Sequence, residues 1–335
     1  MRPEAFYRKY VFNSSFNSFN ENIFHLSGYI AASGYLGIKI SIKSDKRFFY
    51  KNDVVIGCYD EMHTSLVSNS AVRLCKNKKK TINALNIKSV AVPLSHQFCS
   101  VFGYKKALKF AKASGSLVMK PANARAGQGI STQFSWQDDS FKAAWLKAKA
   151  ATTNRRILLE EKLEGLDVRA IVVGGQFVCA VTRLPAYVVG DGSSTVAELV
   201  EQKNAFRKQN KAHARHPLKL EYYSIDPSLV PAADHFLQLT EISNVHLGGE
   251  AVDVTNLLPS ALRELAEAAA DAIPGLGVVG VDMIATDFEG GVAKVIELNT
   301  ACNFMIHQAP LYGQPRYPAE QVLKCMLRQA GLANE

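Results

Sequence analysis

A chain of 335 residues carrying a net charge of +9 is too long for one small core and favours anionic partners: nucleotides, phosphates, acidic substrates or nucleic acid. With 47% hydrophobic and 21% charged residues it reads as globular rather than disordered or fibrous. No run reaches the length of a membrane span, the first twenty residues hold no apolar leader segment, and the six scattered cysteines form no CxxC pair, so a cytoplasmic protein with reduced thiols and no membrane partner is expected.

Taken in order, residues 23 to 75 read as a helix over "NIFHLSGYIAASGYLG", strands at "IKISI" and "VVIGCY", and a polar stretch to about Ser70. A lysine-rich helix is expected from 71 to 93, closing before "VAVP" at Pro93. "YKKALKFAKASG" spaces Ala107, Leu108 and Ala111 as one helical face and stops at Gly115; the strand "SLVMKP" follows. From residue 157 the pattern turns to paired strands, "RILLEEKL" and then "DVRAIVVGGQFVCAVTRLPA", with Gly174-Gly175 at a hairpin turn. In "GDGSSTVAEL", Thr195 and Glu198 have the spacing of a capping box that opens a helix. An Ala-rich amphipathic helix over 260 to 272 ends at Pro274-Gly275. The stretch "VVGVDMIATDFEGGVAKVIELN" predicts a hairpin turning between Glu289 and Gly290.

That turn sets Asp282 opposite Glu297, and period-2 alternation puts Asp282, Ile284, Val295, Glu297 and Asn299 on one face. Two facing carboxylates repel unless a cation or a proton joins them. With an amide oxygen beside them they are hard ligands suited to Mg²⁺. The same residues would also suit the solvated face of an edge hairpin.

Lys120 ends a strand and precedes a loop with Gly127 and Gly129, the arrangement of a lysine and close-approaching backbone amides at a phosphate, or of an ordinary turn. Neither GxxxxGK[ST] nor GxGxxG occurs. The lysines at 76, 78, 79 and 80 lack interleaved aromatics, so nucleic acid ranks low as a partner. The basic stretch 203 to 219 reads as a lid over an anionic substrate or as a solvated helix. His213 and His216 have no third ligand beside them for zinc, and no GxSxG elbow is present.

In order, "NKKKT", "MKPANARAGQGI", "LEEKLEGLDVRAIVVGGQFVCAVTRLPAYVVGDGSSTVAELVEQKN", "NVHLGGEAVDVT", "GVVGVDM" and "VIELNTACNFMIHQAPLYG" resemble ATP-grasp carboxylate–amine ligases. The resemblance is nearest to the ATP-grasp domains of cyanophycin synthetase and bifunctional glutathione synthetase, and runs from about residue 75 to 327. It implies an α/β and α+β architecture: a pre-grasp α/β domain (1–75), then two α+β subdomains (76–160 and 161–335) clasping ATP, the second carrying the metal hairpin.

The resemblance also implies roles. Lys78 and Lys120 would contact ATP phosphates, and the loop 126 to 130, with Gly127, Gln128 and Gly129, would close over them. Glu160, Glu161 and Leu163 would form the hinge that holds adenine, and Asp167 would bind ribose. Arg169 and Arg183 match arginines near the reacting centre, Asn244, Gly248 and Gly249 a loop beside phosphates and substrate, and Asp282, Glu297 and Asn299 the metal ligands for Mg²⁺, with Mn²⁺ as a substitute. The implied reaction joins the carboxylate of one amino acid or short peptide to the amine of another through an acyl phosphate. A homodimer is the family-level expectation.

Two departures stand out. Cys302-Asn303 replaces a Pro-Gly after the metal-binding Asn, and His246 replaces a Ser in the loop; Cys302 reads as a buried bystander thiol rather than a nucleophile. The competing reading is a nucleotide-binding module, altered in catalysis and acting through a partner. A nucleic-acid-binding role rests on net charge alone.

Overall fold

The computed structural model describes residues 1–20, 25–60, 62–123 and 128–332. The chain opens with an arm: a short helix α1 (Pro3–Phe6) runs into one wide turn, Tyr7–Val11. Helix α2 (Ser27–Leu36) is closed by Gly37 at φ +62°, a left-handed position glycine takes without the Cβ penalty. Four antiparallel strands follow, β1 (Lys39–Lys43), β2 (Lys46–Lys51), β3 (Val54–Asp60) and β4 (His63–Thr64). The single lysine-rich helix expected over 71–93 is two helices, α3 (Asn69–Cys75) and α4 (Lys78–Ile87). The break comes at Asn77, whose Oδ1 accepts from the Lys80 N–H at 3.2 Å and so caps a fresh helix start.

A small lobe is built on β5 (Ser95–Cys99), α5 (Tyr104–Ala113), β6 (Leu117–Pro121), α6 (Ser140–Ala151) and β7 (Arg156–Glu161). Its sheet has the order β5-β7-β6, and both helices pack on one face. Phe98, Met119, Ile157 and Leu159 meet Ala107, Ala111, Phe141 and Trp145 there in a core separate from the rest of the molecule. Lys120 and Glu160 point from the other face.

The large lobe begins with β8 (Leu166–Val173) and β9 (Gln176–Leu184), joined through Gly174 at φ +59° and Gly175 at φ +79°; the Gly-Gly turn lies where the sequence places it. After β10 (Tyr187–Val189), helix α7 (Val196–Arg207) starts with the expected capping box of Thr195 and Glu198. Next come α8 (Lys211–Ala214), β11 (Phe236–Gln238), β12 (Glu250–Asp253) and α9 (Ser260–Asp271). The chain finishes with β13 (Val278–Asp287), β14 (Val292–Asn299), α10 (Met305–Gln308) and α11 (Pro318–Gln329). The main sheet has the order β12-β9-β8-β13-β14, every ladder antiparallel.

One continuous core joins this sheet and α9 and α11 to the amino-terminal elements, from Phe6 and Tyr29 through Phe49, Tyr59 and Leu85 to Leu323. The arm belongs to it: Phe6 is fully buried against Phe288, and Tyr7 lies on Tyr187 and Phe236. Among the described residues no helix is long and apolar enough to cross a membrane.

Candidate active site

A cleft of about 430 Å³ lies between the lobes. The β7 end forms its hinge: Glu160 to Gly165 line the cleft with Val118 and Lys120 of the small lobe and Ile284 and Ile296 of the large one. Apolar walls crossed by a backbone hinge suit a flat heterocyclic base. Glu160, 5% exposed, receives the Lys120 ammonium. Glu161 accepts from Lys294 Nζ at 2.7 and 2.8 Å and from the Leu94 N–H at 3.0 Å, and these bonds, Lys294 first, hold its carboxyl below the usual range. Leu163 lines the cleft, and Lys162 reaches Glu241 at 2.9 Å across its mouth.

Lys78 stands within electrostatic reach of Lys120. Burial and the neighbouring Lys120 push the Lys78 ammonium below its ordinary pKa, while Glu297 and Glu160 act the other way. Lys78 opens α4, Lys120 lies on β6, Glu160 on β7 and Glu297 on β14, so the tertiary fold assembles these cations and carboxylates from four separate elements. Gly127 lies outside the described residues. Gln128 is exposed. Gly129 sits at φ +72°, where a Cβ would come within 2.7 Å of Pro121 and Ala151 side chains, so the loop turns back tightly on the strand that carries Lys120.

The main sheet presents a four-residue ionic network. Arg169 on β8 binds Asp282 on β13 with both fork nitrogens, Nε to Oδ1 and Nη2 to Oδ2 at 2.6 Å each. Arg183 on β9 binds Asp167 Oδ1 at 2.5 and 2.7 Å and approaches Asp282 Oδ2 at 3.2 Å. The register dictates this: Asp282 pairs with Arg169, and Asp167 pairs with both Arg183 and Ile284. Burial and repulsion from Asp282 raise the Asp167 carboxyl to about 6 against the pull of Arg183. Asp282 is held ionised by Arg169 and then Arg183, which outweigh its burial. Asp167, the expected ribose ligand, thus has one oxygen committed to Arg183.

Asp282 lies directly opposite Glu297, as the turn position predicts. The expected face needs one correction: a bulge after Asp282 places Val295 opposite Met283, and Val295 is buried in the core at 1% exposure. The extra residue on β14 brings Ile296 to the cleft instead. Asn299 is opposite Gly280, and its amide reaches Asp282 Oδ2 at 3.0 Å. Two carboxylates and an amide fit Mg²⁺ in donor chemistry. Asp282 ligating a metal would share its oxygens with Arg169. Among the described residues no group of three or more His, Cys, Asp or Glu stands together to hold a metal, here or elsewhere, so the donor set rests on two carboxylates and one amide.

The glycine loop precedes β12, which pairs with the strand of Arg183. Asn244 Oδ1 caps the His246 N–H at 3.0 Å, and its carbonyl accepts from Gly249 N at 3.0 Å. A Cβ on Gly249 would lie 2.8 Å from the carbonyl oxygens of Asn244 and Leu184, so only glycine fits. His246, the residue standing for serine, meets His216 with Nδ1 atoms 3.3 Å apart. Cys302 is buried, donates to the Asn299 carbonyl at 3.0 Å, and burial pushes its thiol up to about 12.

Sequence reasoning missed Arg2 and Pro3, which line the cleft beside the hinge, Arg2 reaching Glu164 at 2.9 Å. No local signal ties residue 2 to residue 164. It also missed Lys294 and Ile296, because the bulge is invisible to a strict period of two.

Residues 75–302 match the family model described as an ATP-grasp domain. The chain is 31% identical over 223 residues to cyanophycin synthetase from Synechocystis sp., covering 62% of this chain and 25% of that protein. It is 28% identical over 277 residues to the glutathione biosynthesis bifunctional protein of Clostridium perfringens, covering 78% and 35%. The chain therefore spans about a quarter to a third of the length of these curated relatives. The crystal structure of a bifunctional glutathione synthetase from Pasteurella multocida shares the fold, with a TM-score of 0.62 over 91% of this chain and 43% of that one at 24% identity.

Proposed function

The chain belongs to the ATP-grasp family, and from that premise we propose that it is an ATP-dependent carboxylate–amine ligase. It would form an amide bond between amino acids or short peptides and release ADP and phosphate. The observation that carries this reading is a cleft between the lobes lined by Lys120 and by Glu160 to Gly165, with Lys78 within electrostatic reach of Lys120, Glu297 and Glu160. Phosphates beside Lys78 and Lys120 and a base against Glu160, Glu161 and Leu163 account for both. The division into units at 1–75, 76–160 and 161–335 is part of the same proposal.

In this reading Lys78 and Lys120 neutralise phosphate charge, and the loop holding Gly127, Gln128 and Gly129 covers the phosphates. Asp167 takes ribose. Asp282, Glu297 and Asn299 would hold Mg²⁺, which supplies electrophilic activation of the phosphoryl group when bound. Arg169 and Arg183 offer planar forks to phosphoryl oxygens, the geometry in which arginine exceeds lysine. The acid substrate's carboxylate attacks the γ-phosphorus, and an amine then displaces phosphate from the acyl phosphate. Asn244, Gly248 and Gly249 shape the loop beside that centre, and a closed cleft keeps water from the intermediate.

The fork of Arg169 on Asp282 favours a second reading, a nucleotide-binding module with altered catalysis that acts through a partner. One experiment separates them: a screen of amino-acid and dipeptide pairs for ADP release that requires both an acid and an amine. Ligase activity predicts a pair-dependent signal lost in Glu297→Gln. ATP binding with no productive pair supports the module. Full turnover in Glu297→Gln removes the metal assignment.

A further inference from the structure

The net charge is not spread over the molecule. Residues 94 to 156 hold eleven Lys and Arg against two Asp and no Glu, while the remaining chain carries 28 of each sign. Taken to the end of β7 at Glu161, the small lobe carries +7 of the overall excess of +9. Among the described residues, Lys105, Lys106, Lys109, Arg155 and Arg156 of this lobe form no ion pair; its bridges are Lys120 with Glu160, inside the cleft, and Glu161 with Lys294 of the large lobe. Unpaired cations of one sign on one lobe repel each other and create a field for an anionic partner.

The same lobe carries a groove of about 560 Å³ on the face of its sheet away from the nucleotide cleft. Its floor is His96, Phe98 and Phe110, whose rings lie 4.7 to 5.8 Å apart. Lys106, Lys109 and Arg156 stand on its rim, and no carboxylate lines it. Phe102, 82% exposed, projects at one end beside Val101 at 59%. Strand β5, which forms one wall, is the outer strand of its sheet and among the described residues pairs only with β7.

We propose that this groove docks an extended acidic polypeptide segment carrying an apolar anchor residue. An unpaired strand edge can hydrogen-bond an extended chain, the ring floor accepts the anchor, and the rim cations meet the acidic side chains. The combination of strand edge and ring-lined floor distinguishes a peptide from a nucleic acid, which needs no strand edge. The site is separate from the cleft, and its occupant is a segment of a partner protein.

The test uses the full chain and a short fluorescein-labelled Glu-rich peptide with one central Phe, followed by fluorescence anisotropy. Binding is expected, weakened at high salt, reduced at least tenfold in Lys106→Glu/Lys109→Glu and severalfold in Phe102→Ala. A control reversal at Lys142 and Lys147, on α6, should leave it unchanged. The peptide should also slow alkylation of Cys99 in the groove wall, a thiol held below its ordinary pKa by the Val101 backbone N–H. Absent binding, equal binding by the groove and control variants, or tighter binding of a single-stranded oligonucleotide of equal charge would overturn the proposal. Sedimentation showing a dimer that Phe102→Ala dissociates would also overturn it, in favour of a second copy.

Discussion

Arg169 grips both oxygens of Asp282, Nε on Oδ1 and Nη2 on Oδ2, each at 2.6 Å. The two residues are 113 apart in sequence and adjacent in the sheet because β8 and β13 pair in that register. Arg169→Met should destabilise the protein by roughly 3 kcal/mol, since removing one partner leaves a buried carboxylate undercompensated. The cation left to Asp282 is Arg183, already shared with Asp167, beside the Asn299 amide. Arg169→Lys keeps the charge but loses the fork and should fall between. Urea unfolding of the three proteins checks the order; equal midpoints would show that the pair is not held in solution.

The Lys120–Glu160 pair separates stability from binding. Both side chains are largely buried, 12% and 7% exposed. Lys120→Ala should cost on the order of 3–5 kcal/mol by stranding Glu160 and should weaken ATP binding. Lys120→Ala/Glu160→Gln should recover most of the stability and none of the affinity. Recovery of both by the double variant would deny Lys120 a phosphate contact. Thermal melting and calorimetric titration with ATP supply the two readouts.

Cys302 should be chemically quiet. Burial lifts its thiol to about 12, so the thiolate nucleophile is scarce at neutral pH. Cys302→Ala should retain turnover, and mass spectrometry of the folded protein after iodoacetamide should find position 302 unmodified. Loss of turnover with unchanged melting in that variant would assign the sulfur a chemical role.

Arg2 should contribute to nucleotide binding from outside the matched family region. Its guanidinium lies at the cleft mouth with Pro3, near the hinge, where it can lie over an aromatic base. An exposed contact of that kind is worth about 0.5–1 kcal/mol, so Arg2→Ala should raise the ATP dissociation constant about two- to five-fold. Its melting temperature should not move, because the pair with Glu164 is exposed on both sides, at 79% and 69%. An unchanged dissociation constant would limit the arm to packing through Phe6 and Tyr7.

Much of this molecule follows from short-range rules that need no partner segment. The Gly174-Gly175 turn and the Thr195–Glu198 capping box each depend on residues within one hairpin or one helical turn. Local sterics and hydrogen-bonding geometry decide them before any core forms. The order of motifs from Lys78 to Asn299 likewise carried the family resemblance, because order along a chain survives without coordinates.

What only the tertiary structure decided is non-local or irregular. The bulge that buries Val295 and turns Ile296 to the cleft comes from packing the hairpin on its neighbours, and a strict alternation has no term for it. The placing of Arg2 beside Glu164, the fork of Arg169 on Asp282 and the gathering of Lys78, Lys120 and Glu297 each join segments that touch only after two cores close. Charge shows the same division. The sequence by itself determined a net +9; the fold decided that Lys106, Lys109 and Arg156 stand unpaired around one groove, since a cation finds or misses its carboxylate only across space.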